Sequence, residues 1–151
     1  MSGILQHRPS KVVKKLLLDK LLGSEVNGND EWPIFVDMMP DGDDIDDNVL
    51  CVINTTGTIH DRLMYSGRYN EDHGIQLMVR ATDEEIGYDK SKAICNSMDL
   101  DVRRTPVVLD GAHYVVHSVN RTSDVIRLGP EEETSRRRFS LNFLVTLTQS
   151  S

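Results

Sequence analysis

The chain has 151 residues, 38% of them hydrophobic and 27% charged, with a formal charge of -7 at pH 7; that length suits one domain able to bury about two-thirds of its unfolded surface, and the composition excludes a disordered or fibrous chain. The negative charge argues against general affinity for a nucleic-acid backbone, because counterion release needs clustered cations. No apolar run approaches the roughly 20 residues of a membrane span, and the N-terminal stretch lacks the apolar segment of a signal peptide, so a soluble, intracellular protein is expected.

Pro9 and Ser10 lead into KVVKKLLLDKLLG. Val13, Leu16, Leu17 and Leu21 recur at helical spacing, with Lys11, Lys14, Lys15 and Lys20 on most of the other side, which predicts an amphipathic helix. Gly23 is its expected C-terminal stop. A leucine-lysine helix of this kind reads as the cover of a sheet rather than as a membrane-surface helix. Two β-rich runs follow, WPIFVDMM and VLCVINT, separated by the acidic insert PDGDDIDDN. Asp37, Asp41, Gly42 and Asp43 fall near the first, fifth, sixth and seventh positions of a calcium-binding loop. Met39 stands at the third position, Asn48 at the twelfth, and strands replace the flanking helices, so no metal site is expected. The insert reads instead as a solvated or partner-facing loop carrying Asp41, Asp43, Asp44, Asp46 and Asp47.

HGIQLMVRAT is the next predicted strand, with Ile75, Leu77 and Val79 on one face and Gln76, Met78 and Arg80 on the other. Thr82 and Glu85 have the spacing of a capping box, predicting a second helix that ends by about Leu100 and buries Ile86, Ala93, Ile94 and Met98. TPVVLDGAHYVVHSVN reads as two strands turned at Asp110-Gly111. DVIRL is a further strand, and FSLNFLVTLTQ closes the chain with Phe139, Leu141, Phe143, Val145 and Leu147 on one side. This order predicts a single α+β domain over residues 1–151: a mixed or largely antiparallel sheet with two helices packed on one face.

Catalytic signatures are missing from the sequence. His113 and His117 have the spacing that chelates a metal on a helix, but in a strand four residues span about 13 Å, too far to grip one ion. There is no Gly-rich phosphate loop, no G-x-S-x-G turn and no cysteine with an obvious histidine partner. Cys51 and Cys95 read as buried free thiols. No enzyme activity and no cofactor are expected.

The most unusual segment is LGPEEETSRRRFSLNFLV, where Glu131, Glu132 and Glu133 and then Arg136, Arg137 and Arg138 directly precede the best-patterned strand. Three long cations entering a strand with one apolar face cannot all be buried without acidic partners. Two readings stand side by side. The glutamates neutralise the arginines at one exposed turn, or the basic patch meets an acidic loop such as Asp41 to Asp47 on the next copy, as in a head-to-tail contact; a nucleic-acid patch is the lesser third, since the glutamates beside it spoil the potential.

From Glu31 to Val145 the sequence resembles the tail terminator and minor capsid proteins of long-tailed bacteriophages. The likeness rests on IRLGPEEETSRRRFSLNF, on HGIQLMVRAT before a capped helix, and on LDGAHYVVHSVNRTSD as the hairpin region. The acidic insert from Pro40 to Asn48 departs from that pattern. The resemblance implies a structural virion protein of the tail and neck, assembled in the host cytoplasm. It would form a hexameric ring that caps the head-proximal end of the tail tube, stops tube polymerisation and offers a surface to a head-completion or connector protein of the neck. Its partners would be other copies of itself, the tail tube protein and that neck protein, with no membrane and no sequence-specific nucleic acid. Six such copies would carry about -42, letting DNA slide through the lumen without sticking. The arginine and glutamate block would serve subunit or neighbour contacts, and the aspartates the lumen or a partner. Another neck component is the near alternative; a carboxylate-dependent metal enzyme built on Asp37 to Asp47 is the distant one.

Overall fold

Pro9 opens the first helix, α1 (Pro9–Asp19), where its fixed φ and missing N–H suit the first turn. Val12, Val13, Leu16 and Leu17 form its core stripe, each at most 5% exposed, a burial worth about 2 kcal/mol per side chain. The helix stops earlier than expected. Leu21, not Gly23, takes the left-handed position at φ 59°, and the Leu21 and Leu22 N–H groups donate back to the Leu18 and Leu17 carbonyls in a Schellman arrangement. Leu21 is consequently 89% exposed rather than part of the stripe. Gly23 is needed for a different reason: an added Cβ would lie 2.6 Å from the Ile34 side chain and 2.7 Å from the Trp32 carbonyl.

The computed structural model describes residues 5–28, 31–39, 44–55, 58–62, 69–130 and 136–150. Beyond α1 these form β1 (Ile34–Val36), β2 (Val49–Asn54), β3 (Thr58–Arg62), β4 (Tyr69–Ala81), α2 (Glu84–Asp101), β5 (Arg103–Leu109), β6 (Ala112–Arg121), β7 (Ile126–Pro130) and β8 (Arg137–Ser150). One sheet runs in the order β1-β2-β4-β8-β6-β5, with β3 beside β4 and β7 beside β8. The pairing is antiparallel except between β1 and β2. This is the expected α+β architecture.

Strand alternation places Leu50, Val52, Ile75, Leu77, Val79 and the Phe139-to-Leu147 series on one face, where both helices lie. Helix α2 packs on β4, β8 and β6, whereas α1 reaches β1 and β2 and also β5, the opposite end of the strand order, so the sheet curls around the helices. The N-terminal arm is tied to β8 and β6. The Gln6 N–H donates to Gln149 Oε1 at 2.9 Å, and the His7 N–H to the Tyr114 hydroxyl at 2.9 Å.

Two expectations about α2 are corrected. Asp83 caps it, its carboxylate accepting the Ile86 N–H at 2.8 Å, while the Thr82 N–H donates to Asn48 Oδ1. The buried stripe is Gly87, Ser91, Ile94, Cys95 and Met98; Ile86 and Ala93 face outward. Small residues set this phase. Gly87 and Ser91 let the helix settle onto Phe139, which lies 2.4 Å from where a Gly87 Cβ would stand.

Gly87→Ala should therefore destabilise by about 1–3 kcal/mol through overpacking, although the same change in an open helix gains about 1 kcal/mol. Leu21→Gly should act the other way and stabilise by about 1 kcal/mol by removing the left-handed penalty of an exposed leucine. Urea unfolding of the two variants measures both signs.

Candidate functional site

The face of the sheet turned away from the helices carries the charged residues. On β4 and β8, Arg80 stands directly opposite Arg138, a like-charge placement that is unfavourable unless counter-charge is supplied. Arg80 is nonetheless fully buried. The segment between β1 and β2 lies across it: Arg80 Nη2 donates to the Asp46 carbonyl at 3.1 Å. Burying a guanidinium is tolerable only with such acceptors and nearby negative charge, and this segment contributes Asp44, Asp46 and Asp47.

The same segment is fastened at several further points. The Asp46 N–H donates to Asn27 Oδ1 and Asn27 Nδ2 to the Asp44 carbonyl, both at 2.9 Å. The Asp46 carboxylate accepts the Gly28 N–H at 2.9 Å, and Asn48 Oδ1 accepts the Thr82 N–H at 3.0 Å. Asp47 pairs with Arg136 Nε at 2.9 Å, with the arginine side chain 15% and the aspartate 54% exposed. At the other end of the segment, Asp37 pairs with Arg8 and accepts from Ser10 Oγ.

The structure thus joins Asp46 and Asp47 to Arg80 and Arg136 within one chain. Asp44 is exposed, and Arg137 and Arg138 are half-buried with no ion pair among the described residues. Arg138 Nε is shielded from solvent and has no hydrogen-bond partner there. Asp41, Asp43, Glu131, Glu132 and Glu133 lie outside the described residues. Sequence reading missed the anchoring roles of Arg80 and Asn27. Arg80 sits at a polar-face position of an alternating strand, where an arginine normally reads as solvated; the acidic insert was the available signal that something would cover it.

Nothing in this cluster resembles a nucleophile with its base. The Cys51 thiol is pushed up to about 11 by burial and by the nearby Asp37, and burial raises Cys95 as well, which leaves little reactive thiolate at neutral pH. His113 is exposed, whereas His117 Nε2 meets Thr148 Oγ1 at 2.9 Å. Among the described residues no group of His, Cys, Asp and Glu is placed to hold a metal, and no helix is long and apolar enough to cross a membrane.

A curled α+β sheet whose charged cluster clamps a covering segment in place defines a structural scaffold. A family model of the bacteriophage tail terminator protein matches residues 16–149, nearly the whole chain, and the protein belongs to that family. No curated protein matches it. Membership makes it a structural component of the phage virion tail and points to a non-enzymatic role.

Arg80→Ala should cost about 1–3 kcal/mol, because it empties a fully buried site and leaves the Asp46 carbonyl without its donor. Arg136→Ala should cost under about 1 kcal/mol, since Asp47 is half exposed. Denaturant midpoints of the two variants make the comparison. For His117, burial and then the Arg104 cation lower the pKa below 6.5. The folded state therefore favours neutral imidazole: the contribution is complete above about pH 6.5 and is lost as pH falls below it, where the unfolded chain takes up the proton first. Unfolding free energy measured at about pH 7.5 and 5.5 should drop less in His117→Gln than in the parent protein.

Proposed function

We propose that the protein caps the head-proximal end of the phage tail tube as a hexameric ring, stops tube polymerisation and presents the attachment surface for the neck. The family match across residues 16–149 carries this reading. The acidic charge supports it, because a ring with net negative charge repels the DNA that must pass through its lumen. Its partners are other copies of the same chain, the tube protein, and a head-completion or connector protein. It acts without sequence-specific nucleic-acid binding or membrane contact, and it assembles in the host cytoplasm.

Capping follows from asymmetry between the two faces of the ring. One face imitates the docking surface of a tube ring; the other lacks what the next tube ring would bind, so growth stops. In this reading Arg137 and Arg138, with Glu131, Glu132 and Glu133, contact a neighbouring chain. Arg136 holds the covering segment in register through Asp47, and the exposed Asp44, with Asp41 and Asp43, faces the lumen or a partner. The clamp matters here because a docking surface fixed before contact loses less entropy on binding.

The test adds the purified protein to polymerising tail tube protein from the same phage and measures tube lengths by negative-stain electron microscopy. Shorter tubes carrying a six-fold ring at one end are expected. Unchanged lengths and bare ends would overturn the proposal.

A further inference from the structure

The clamp described above engages part of the most obvious pair of complementary charges, Arg136 and Asp47, inside one chain, which leaves room for other complementary patches beside Arg137 and Arg138 in a ring contact. Two exist, one on each helix. A groove of about 380 Å³ runs between α1 and β1, rimmed by Lys11, Lys14, Lys15 and Glu25 with Leu18 and Leu109 in its lining. Lys15 is paired with Asp19 at 3.0 Å. Lys11 and Lys14, neighbours on one helix face, have no ion pair among the described residues and repel one another.

The first turns of α2 carry the opposite pattern. Asp83 is committed to capping and Glu84 to Arg127 at 3.4 Å. Glu85 and Asp89, one turn apart, have no ion pair among the described residues. Between them Ile86 and Tyr88 are each 41% exposed. Glu85 gains from the helix N-terminus, but Asp89 lies beyond the reach of that effect. A basic groove with apolar lining and an acidic ridge with two large apolar side chains are complementary in charge and in apolar character. They lie on different helices, so a patch of one copy can engage a different patch of the next.

We propose that the α1 groove of one copy receives the Glu85-to-Asp89 ridge of the next, and that this head-to-tail contact closes the ring. The inference rests on the ring reading given above and names its subunit interface. Lys11 and Lys14 meet Glu85 and Asp89, while Ile86 and Tyr88, flanking those carboxylates on the helix, pack against the apolar parts of the groove's rim. Because the two patches differ, each copy offers one of each, and repetition closes into a ring when the rotation per step is one-sixth of a turn.

Reciprocal charge reversal tests it. One variant is Lys11→Glu with Lys14→Glu; the other is Glu85→Lys with Asp89→Lys. Ring formation is followed by light scattering and, on tube ends, by electron microscopy, with circular dichroism confirming that each variant is folded. Each variant alone should lose the ring by about tenfold or more in population, since like charges face each other across the contact. An equimolar mixture should restore it, because in an alternating six-membered ring every acidic groove meets a basic ridge. Either folded variant assembling as the parent does, or a mixture that stays monomeric, would overturn the interface while leaving the ring reading intact. If the lysine variant assembled normally but lost binding to a 20-base-pair duplex, the groove would belong to DNA and the interface would again be wrong. A parent protein that forms no ring even on tube ends would remove the ring reading and this interface with it.

Discussion

The antiparallel ladder between β4 and β8, running from Glu71 opposite Leu147 to Ala81 opposite Arg137, is the constraint on which the rest of the molecule depends. It fixes which residues face the helices. Ile75, Leu77 and Val79 lie beside Phe143, Leu141 and Phe139, and the buried stripes of α1 and α2 close over them. A slip of one residue would send the whole apolar set to the other side. The same register also obliges Arg80 to sit against Arg138, so a feature that makes the core good creates an electrostatic problem on the reverse face.

The acidic segment between β1 and β2 answers that problem. Its backbone accepts from Arg80, the Asp47 carboxylate pairs with Arg136 just before β8, and the Asp46 carboxylate takes a turn N–H. Because β1 and β2 are parallel, the chain must cross from one end of the pair to the other between them. That crossing carries the aspartates over the sheet. Topology and counter-charge are therefore met by a single stretch of chain.

Much of the fold was legible from the sequence because strand alternation is a strong local signal. Phe139 to Leu147 and Ile75 to Val79 were assigned to the correct face, and Asp110-Gly111 turns the β5–β6 hairpin as expected. What escaped was set by contacts distant in sequence. Gly87 and Ser91 read as weak helix residues, yet their small size decides which face of α2 is buried. Leu21 reads as another apolar helix position, yet it ends the helix in a conformation suited to glycine. The arginine block and the acidic insert were both conspicuous. That Asp47 and Arg136, 89 residues apart, would meet within one chain was not readable from either one.

The contact between Gln6 and Gln149 joins positions 143 residues apart, and α1 rests against β5 as well as β1 and β2. Helix α1 thus finds its full seat only after strands far along the chain have joined the sheet. Such long-range closure folds slowly compared with local structure. Without β8 the central ladder is missing, and both helices lose part of the sheet face they cover.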